Sequence, residues 1–413
     1  MTPNSPAAQQ QEQEQGREQG REPEGERETA TGAELVARAN ALVPLLRSNI
    51  ARTEHLGNPA PENLAALADA GLFRLTTPAR YGGLHPSMRT QVQIISEVGR
   101  GCASTGWIVA NHAASTEFTL VLPDEATEEI FGDNPDAIFL SAGCAPDARA
   151  ERVPGGLRVS ARAPYASGCE ISDWALLIGI PLHEDGEVRG AVNALVALTE
   201  AKVERTWDVA GMSGTGTHAM TVTDVFVPER RTVVVEKDNL DRLEELLSPS
   251  ELVKGNLHSL SSLVGAAHGA LDLVRASLER GRPIVYSTYR RAADSPAIQQ
   301  AFTEATHLVD TATLHMLHVA DEFDALAPGT ELPRVARARA RMHSASALSR
   351  AREGMQKLLD VAGTSGFANA NALQMYWRDL EVGSRHAMLG LPMILEDYGR
   401  ALLDLGPTIT QYH

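Results

Sequence analysis

The chain has 413 residues, 43% of them apolar, enough for one large domain or two to three smaller ones around a substantial core, and its 37 basic and 53 acidic side chains give a formal charge of −16. That charge would repel a phosphate backbone, no run of about 18 apolar residues occurs, and the N-terminus lacks the basic-then-apolar order of a signal peptide, which argues against nucleic acid, membrane insertion and secretion. Three cysteines, Cys102, Cys144 and Cys169, are too few and odd in number for a disulfide framework, and none lies in a C-x-x-C pair, so a reducing, cytoplasmic setting is expected.

Residues 1–32 hold seven Glu and three Arg but no Leu, Ile, Val or aromatic residue. They are expected to form a disordered, solubilising tail, because such a composition cannot offset its ordering entropy. Over 33–134 the apolar spacing is helical: Leu35, Val36, Ala39, Leu42, Val43 and Leu46, then Leu64, Leu67 and Ala70, then Val92, Ile95 and Val98. The Pro78–Gly83 stretch reads as a turn between two of these helices. Over 135–228 the pattern changes to short, partly alternating runs (137–142, 156–162, 175–180, 191–198 and 218–227), predicting an antiparallel β domain. Over 229–413 a charged linker to Pro249 precedes four long helical stretches, near 252–280, 296–326, 334–361 and 370–403, which predict a four-helix bundle.

This order, with its local motifs, resembles the acyl-CoA dehydrogenase fold, an α+β architecture. Pro78-Ala79-Arg80-Tyr81-Gly82-Gly83 resembles its P-x-x-Y-G-G turn. The run from Gly99 to Trp107 resembles the small-residue segment that opens its next long helix. Gly211-Met212-Ser213-Gly214-Thr215, followed by Val225-Phe226-Val227-Pro228, resembles its glycine turn and closing strand. Those glycines precede a strand and not a helix, so they lack the context of a phosphate-binding loop. Arg378-Asp379 resembles the R-D pair of the dehydrogenases, but no E-G-T follows, and His386 stands seven residues on. That pattern is similar to the reduced-flavin monooxygenases of this fold, the group of p-hydroxyphenylacetate and secosteroid hydroxylases and nitrososynthases.

The resemblance implies an oxygenase component that takes reduced FMN or FAD from a separate flavin reductase by diffusion. With O2 as cosubstrate it would form a C4a-hydroperoxyflavin, hydroxylate a phenolic or polycyclic aromatic compound, and assemble as a homotetramer. N-oxygenation of an amino sugar or amine is the first alternative. Acyl-CoA dehydrogenation, with Glu381 as the nearest carboxylate, is the second.

Ser167-Gly168 resembles the pair beside the flavin N5, with Ser167 as a hydrogen-bond donor; Ser141 is implied as a second serine toward the ring and Trp107 as a cofactor contact. His386 is implied as the base for a phenolic proton, since imidazole titrates near neutrality, and His112 as a second substrate contact. Arg290, Arg291 and Gln299 occupy the region where the family contacts cofactor, with guanidinium geometry suited to phosphate. No metal is expected: His315 and His318 have an i, i+3 spacing without a carboxylate in register, and Glu304-x-x-His307 supplies only one of the two pairs a di-iron site needs.

Overall fold

The computed structural model describes residues 30–236, 248–327, 329–406 and 409–410. Apart from Ala30–Gly32, the expected tail lies outside the described residues, as does 237–247 of the expected linker. Six helices come first: Gly32–Ser48 (α1), Ile50–Leu56 (α2), Pro61–Asp69 (α3), Met88–Gly101 (α4), Ala103–Thr119 (α5) and Asp124–Phe131 (α6). Helix α1 buries Leu35, Ala39, Val43 and Leu46, the stripe that its helical spacing places on one side. The turn before α4 needs its glycine pair. Gly82 has φ +83°, and a Cβ on Gly83 would fall 1.5 Å from the Thr77 carbonyl oxygen.

Eight strands follow: Phe139–Gly143 (β1), Arg149–Val153 (β2), Gly156–Ala166 (β3), Trp174–Glu184 (β4), Glu187–Ala197 (β5), Lys202–Glu204 (β6), His218–Pro228 (β7) and Thr232–Glu236 (β8). They form one sheet in the order β6-β7-β3-β2-β4-β5-β8, with β1 also on β4. The expected antiparallel sheet is in fact mixed, because β1 and β2 both run parallel to β4. Side-chain alternation is the same in parallel and antiparallel pairs, so the sequence pattern carries no strand direction. Strand β8 replaces part of the expected linker, pairing Thr232–Glu236 with Ala194–Gly190. One face of the sheet encloses an aliphatic core that includes Leu157, Val159, Ile180, Val192 and Val222. Helix α6 sets Ala126, Ile130 and Phe131 beside Phe139, Leu176 and Leu195 in a second core.

Three of the four expected long helices are continuous: Pro249–Glu279 (α7), Pro296–Asp324 (α8) and Arg334–Ala362 (α9). The fourth is not. It divides into Ala372–Gly383 (α10) and Leu391–Leu402 (α11), separated by a 3₁₀ turn at Ala387–Leu389. Pro392 lies in the first turn of α11, where its missing N–H costs nothing; further along an unbroken helix it would clash with the preceding turn. Among the described residues no helix is long and apolar enough to cross a membrane.

Helix α7 is central, packing on α4, α5, α8, α9 and α10. It crosses α4 backbone to backbone: a Cβ on Gly99 would lie 2.2 Å from Ser262 O, and one on Gly265 would lie 2.0 Å from Ser96 O. Tyr376 of α10 closes the same junction, its single hydroxyl proton shared between Arg100 O at 2.5 Å and Gly101 O at 2.8 Å. Gly265→Ala should therefore destabilise the protein by about 1–3 kcal/mol through overpacking, despite alanine's better helix propensity. Gly255→Ala on the same helix should be neutral or stabilising, since its Cβ would meet only Ala114 Cβ at 3.5 Å. Urea melts of the two variants check this, and equal melts would remove the close crossing as the constraint.

Candidate active site

A cavity of about 410 Å³ lies between the end of the sheet and the broken helix, inside the range of roughly 300–1,000 Å³ usual for small-molecule sites. Four segments build its wall. Helix α5 brings Trp107, the end of β3 brings Tyr165 and Ser167, the loop from β6 to β7 brings Trp207, Met212, Thr215 and Thr217, and the end of α10 with the turn after it brings Val382, Gly383, Arg385, His386 and Ala387. Gly168, at φ +77°, turns the chain after β3, and its N–H donates to Thr215 O at 2.8 Å. That bond holds Ser167 against the β6–β7 loop.

Trp107 Nε1 donates to Ser167 Oγ at 3.3 Å, and the Trp107 ring meets the His386 ring edge-on with centroids 5.5 Å apart. Ser167 Oγ is 2.8 Å from Thr217 Oγ1, which is 2.7 Å from Thr215 Oγ1, and Thr215 Oγ1 donates to Met212 O at 2.7 Å. Trp207 Nε1 donates to the same carbonyl at 2.9 Å, and its ring meets Tyr165 edge-on. Burial lowers the His386 pKa, so the imidazole is neutral near pH 7. Its Nδ1 accepts from Met388 N–H over a long 3.4 Å.

The loop is anchored from below. Met212 has φ +57°, and its N–H donates to Asp379 Oδ1 at 2.5 Å. Burial pushes the Asp379 carboxyl up to about 7. Arg378 beside it holds Glu54 at 2.9 Å, and a Cβ on Gly211 would lie 2.3 Å from Arg378 O.

Of the residues expected at the site, Ser167, Trp107 and His386 meet on this wall, and Gly168 shapes it. His112 is elsewhere. Its Nε2 is 2.6 Å from Phe73 O and its Nδ1 accepts from Phe139 N–H at 3.0 Å, so both ring nitrogens tie α5 to backbone. Burial lowers its pKa to about 4. This corrects the expected substrate contact to a neutral structural clamp. Ser141 is not on the wall either; it accepts from Ser115 of α5 at 3.0 Å. Arg290 and Arg291, on the connection from α7 into α8, and Gln299, in the first turn of α8, are exposed and are not among the residues of the wall; Gln299 Nε2 donates to Ala293 O.

Sequence reasoning missed Trp207, Thr215, Thr217 and Arg385. The run from Trp207 to Thr217 was legible as a turn, but not the inward course of its hydroxyls. Arg385 opens onto a larger, solvent-exposed groove of about 860 Å³ that shares Val382 with the cavity. There Glu381 bridges Arg352 at 3.1 Å and Arg385 at 2.5 Å, and these guanidiniums help to lower its pKa against the opposing effect of burial. The wall of the cavity itself carries no Asp or Glu among the described residues. His315 and His318 pack around His343, Glu304 pairs with Lys357, and no group of three metal-binding side chains is set for an ion among the described residues.

Models of the acyl-CoA dehydrogenase N-terminal and C-terminal domains match residues 39–126 and 258–390. The chain is 31% identical to the oxygenase subunit HsaA, a flavin-dependent monooxygenase of Rhodococcus jostii, over 85% of this chain and 93% of that one. It is 30% identical to the oxygenase component of an FADH2-dependent resorcinol hydroxylase of Rhizobium sp., over 92% and 96% of the two chains. Among solved structures, XiaF from Streptomyces sp., in complex with FADH2 and glycerol, superposes with a TM-score of 0.82 at 31% identity, covering 92% of this chain and 97% of that chain. These relatives favour neither the amine N-oxygenase nor the dehydrogenase alternative.

The Asp379 carboxyl gives a pH prediction. An aspartate in the unfolded chain titrates near 4, so between that value and about 7 the native state keeps a proton that the unfolded chain has released. The resulting stability is fully present below about pH 4 and lost as pH rises through 7. Asp379→Asn, which mimics the protonated group, should therefore gain on the wild type in urea midpoint between pH 5 and pH 8. A difference independent of pH would show that Asp379 stays ionised throughout.

Proposed function

The chain belongs to the flavin-dependent monooxygenase oxygenase components built from acyl-CoA dehydrogenase N- and C-terminal domains, and we propose that it hydroxylates a phenolic or polycyclic aromatic substrate with reduced FMN or FAD. The observation that carries this reading is the chemistry of the cavity wall. It combines two indoles, a serine, a chain of threonines and a neutral imidazole, with no carboxylate among its described residues. That donor set fits a flat, uncharged heteroaromatic ring: Trp107 and Trp207 offer aromatic surface, and Ser167, held by Trp107 and Thr217, offers a fixed hydroxyl for the ring's N5 edge. When bound, the reduced flavin supplies oxygen transfer from O2. Arg385, which borders both the cavity and the open groove, is the guanidinium we assign to a flavin phosphate.

His386 then handles the substrate proton. Its 3.4 Å contact to Met388 N–H is at the outer limit of a hydrogen bond, so the ring can give it up, carry its proton on Nδ1 and offer the Nε2 lone pair to a phenolic hydroxyl. Sharing that proton raises electron density on the aromatic ring to be oxygenated. A separate reductase delivers the flavin by diffusion. Exposed apolar side chains on the bundle, Leu314 of α8, Val335 of α9 and Met393, Leu395 and Leu402 of α11, support assembly of copies into a homotetramer.

Supplied with enzymatically reduced FMN or FAD, O2 and a panel of phenols, the protein should give a product heavier by one oxygen. Bleaching of a tightly held flavin by an acyl-CoA would overturn the reading. His386→Ala should slow oxygenation roughly 100-fold or more, the scale of a general base, with little change in flavin affinity. Because burial holds the imidazole pKa down, the acid limb of the wild-type rate should fall below pH 6.5 and vanish in that variant. An unchanged rate would remove His386 from this role.

A further inference from the structure

Three hydroxyls run in single file along the cavity wall, and proton counting fixes the direction of every bond between them. Each hydroxyl has one proton, a carbonyl only accepts, and an indole N–H only donates. Met212 O accepts from Thr215 Oγ1 at 2.7 Å, so the Thr215 proton is spent there. The 2.7 Å bond between Thr215 and Thr217 must then use the Thr217 proton. The 2.8 Å bond between Thr217 and Ser167 must use the Ser167 proton. Ser167 Oγ also accepts from Trp107 Nε1 at 3.3 Å, so what it has left for the cavity is a lone pair.

We propose that Thr215 and Thr217 are positioning residues that make Ser167 an acceptor toward the cavity, so that the site favours a flavin whose N5 carries a proton over one whose N5 is bare. This rests on the reading of the cavity as a flavin site with Ser167 at the N5 edge, and it reverses the role of donor expected for Ser167 from the sequence. Reduced flavin has an N5–H that can donate to Ser167. Oxidised flavin has only a lone pair at N5, which would face another lone pair. The relay itself is uncharged and thus selects the reduced form through bond direction alone, the form an oxygenase component must capture from its reductase.

Two features keep the polarity from reversing. Thr215 and Thr217 are almost fully covered by protein, and a flavin filling the cavity they line would take the place of the water that a rotated hydroxyl would need. The terminal acceptor is fixed as well, because the Met212 carbonyl also takes the Trp207 indole N–H at 2.9 Å and the Met212 N–H is held by Asp379.

The test is anaerobic equilibrium binding of reduced and oxidised FMN and FAD to the full-length protein, read as the ratio of oxidised to reduced dissociation constants. Thr217→Val keeps the side-chain shape but frees the Ser167 proton to turn outward. The ratio should fall roughly five- to tenfold, the scale of one hydrogen bond. Thr217→Ser should restore it, which a merely structural role for the side chain would not require. If Thr217→Val does not fold, Thr215→Val interrupts the relay one hydroxyl further on and should lower the ratio likewise. Ser167→Ala should also lower it. A wild-type ratio in the folded valine variants, alongside a shifted ratio in Ser167→Ala, would overturn the relay and leave Ser167 at the flavin. An unshifted ratio in Ser167→Ala, or no flavin binding to the wild type, would overturn the underlying reading of the site.

Discussion

The two halves of the cavity are held in register by one buried contact, the Met212 N–H on Asp379 Oδ1. Asp379 belongs to the bundle and Met212 to the sheet's longest loop, so the bond fixes the distance between structures built from different parts of the chain. Its neighbours reinforce it. Gly211 lets the loop backbone touch Arg378, and Arg378 reaches across to Glu54 of α2 and to Ala210 O. A carboxyl with no solvent around it is costly to ionise, which is why its pKa rises. As a neutral acid it still accepts one backbone N–H, and that is all the loop requires of it.

Everything above the anchor is oriented by neutral dipoles. The loop carbonyl at Met212 collects an indole and a hydroxyl, the hydroxyls order one another, and the last of them is capped by a second indole. In a partly desolvated site such a chain is directional but uncharged, so it imposes no desolvation penalty on an uncharged aromatic ligand. The nearby charges sit at the rim, where Arg385 borders both the cavity and the open groove. Glu381 is paired with Arg352 and Arg385 in the open groove, where solvent screens them and the three side chains leave one positive charge over.

Much of the fold was legible because its devices are local. The α1 stripe, the Tyr81-Gly82-Gly83 turn, the small residues from Gly99 to Gly106 and the three unbroken bundle helices each follow from spacing or from residues with special backbone freedom. What was not legible depends on partners distant in sequence. Strand direction around β4 leaves no trace in alternation, and β8 is a five-residue edge pairing inside a charged run. Motif resemblance singled out Ser167, Trp107 and His386, which share the cavity wall, whereas His112 lies off it for a physical reason. A helical histidine five residues past a cavity tryptophan lies about 140° around the helix from it, so His112 faces Phe73 and β1 while Trp107 faces the cavity. Thr215 and Thr217 were hidden because a hydroxyl's role depends on what lies opposite it.

The break between α10 and α11 sets a carboxylate and an imidazole in opposite electrostatic surroundings. Glu381 lies one helical turn before Arg385 and across from Arg352, and the two guanidiniums, acting against burial, hold its pKa below the usual carboxylate range. A carboxylate so stabilised has little affinity for a proton, and it would be a poor base for a carbon acid even if a substrate reached it. His386 follows where the helix has stopped, with extended backbone at ψ 142° and its ring returned against Trp107. Burial there favours the neutral ring, which can accept a proton. On the proposed reading of His386 as the base, the imidazole is the group that its surroundings keep neutral and able to accept a proton, and the nearest carboxylate is held ionised by its two guanidiniums.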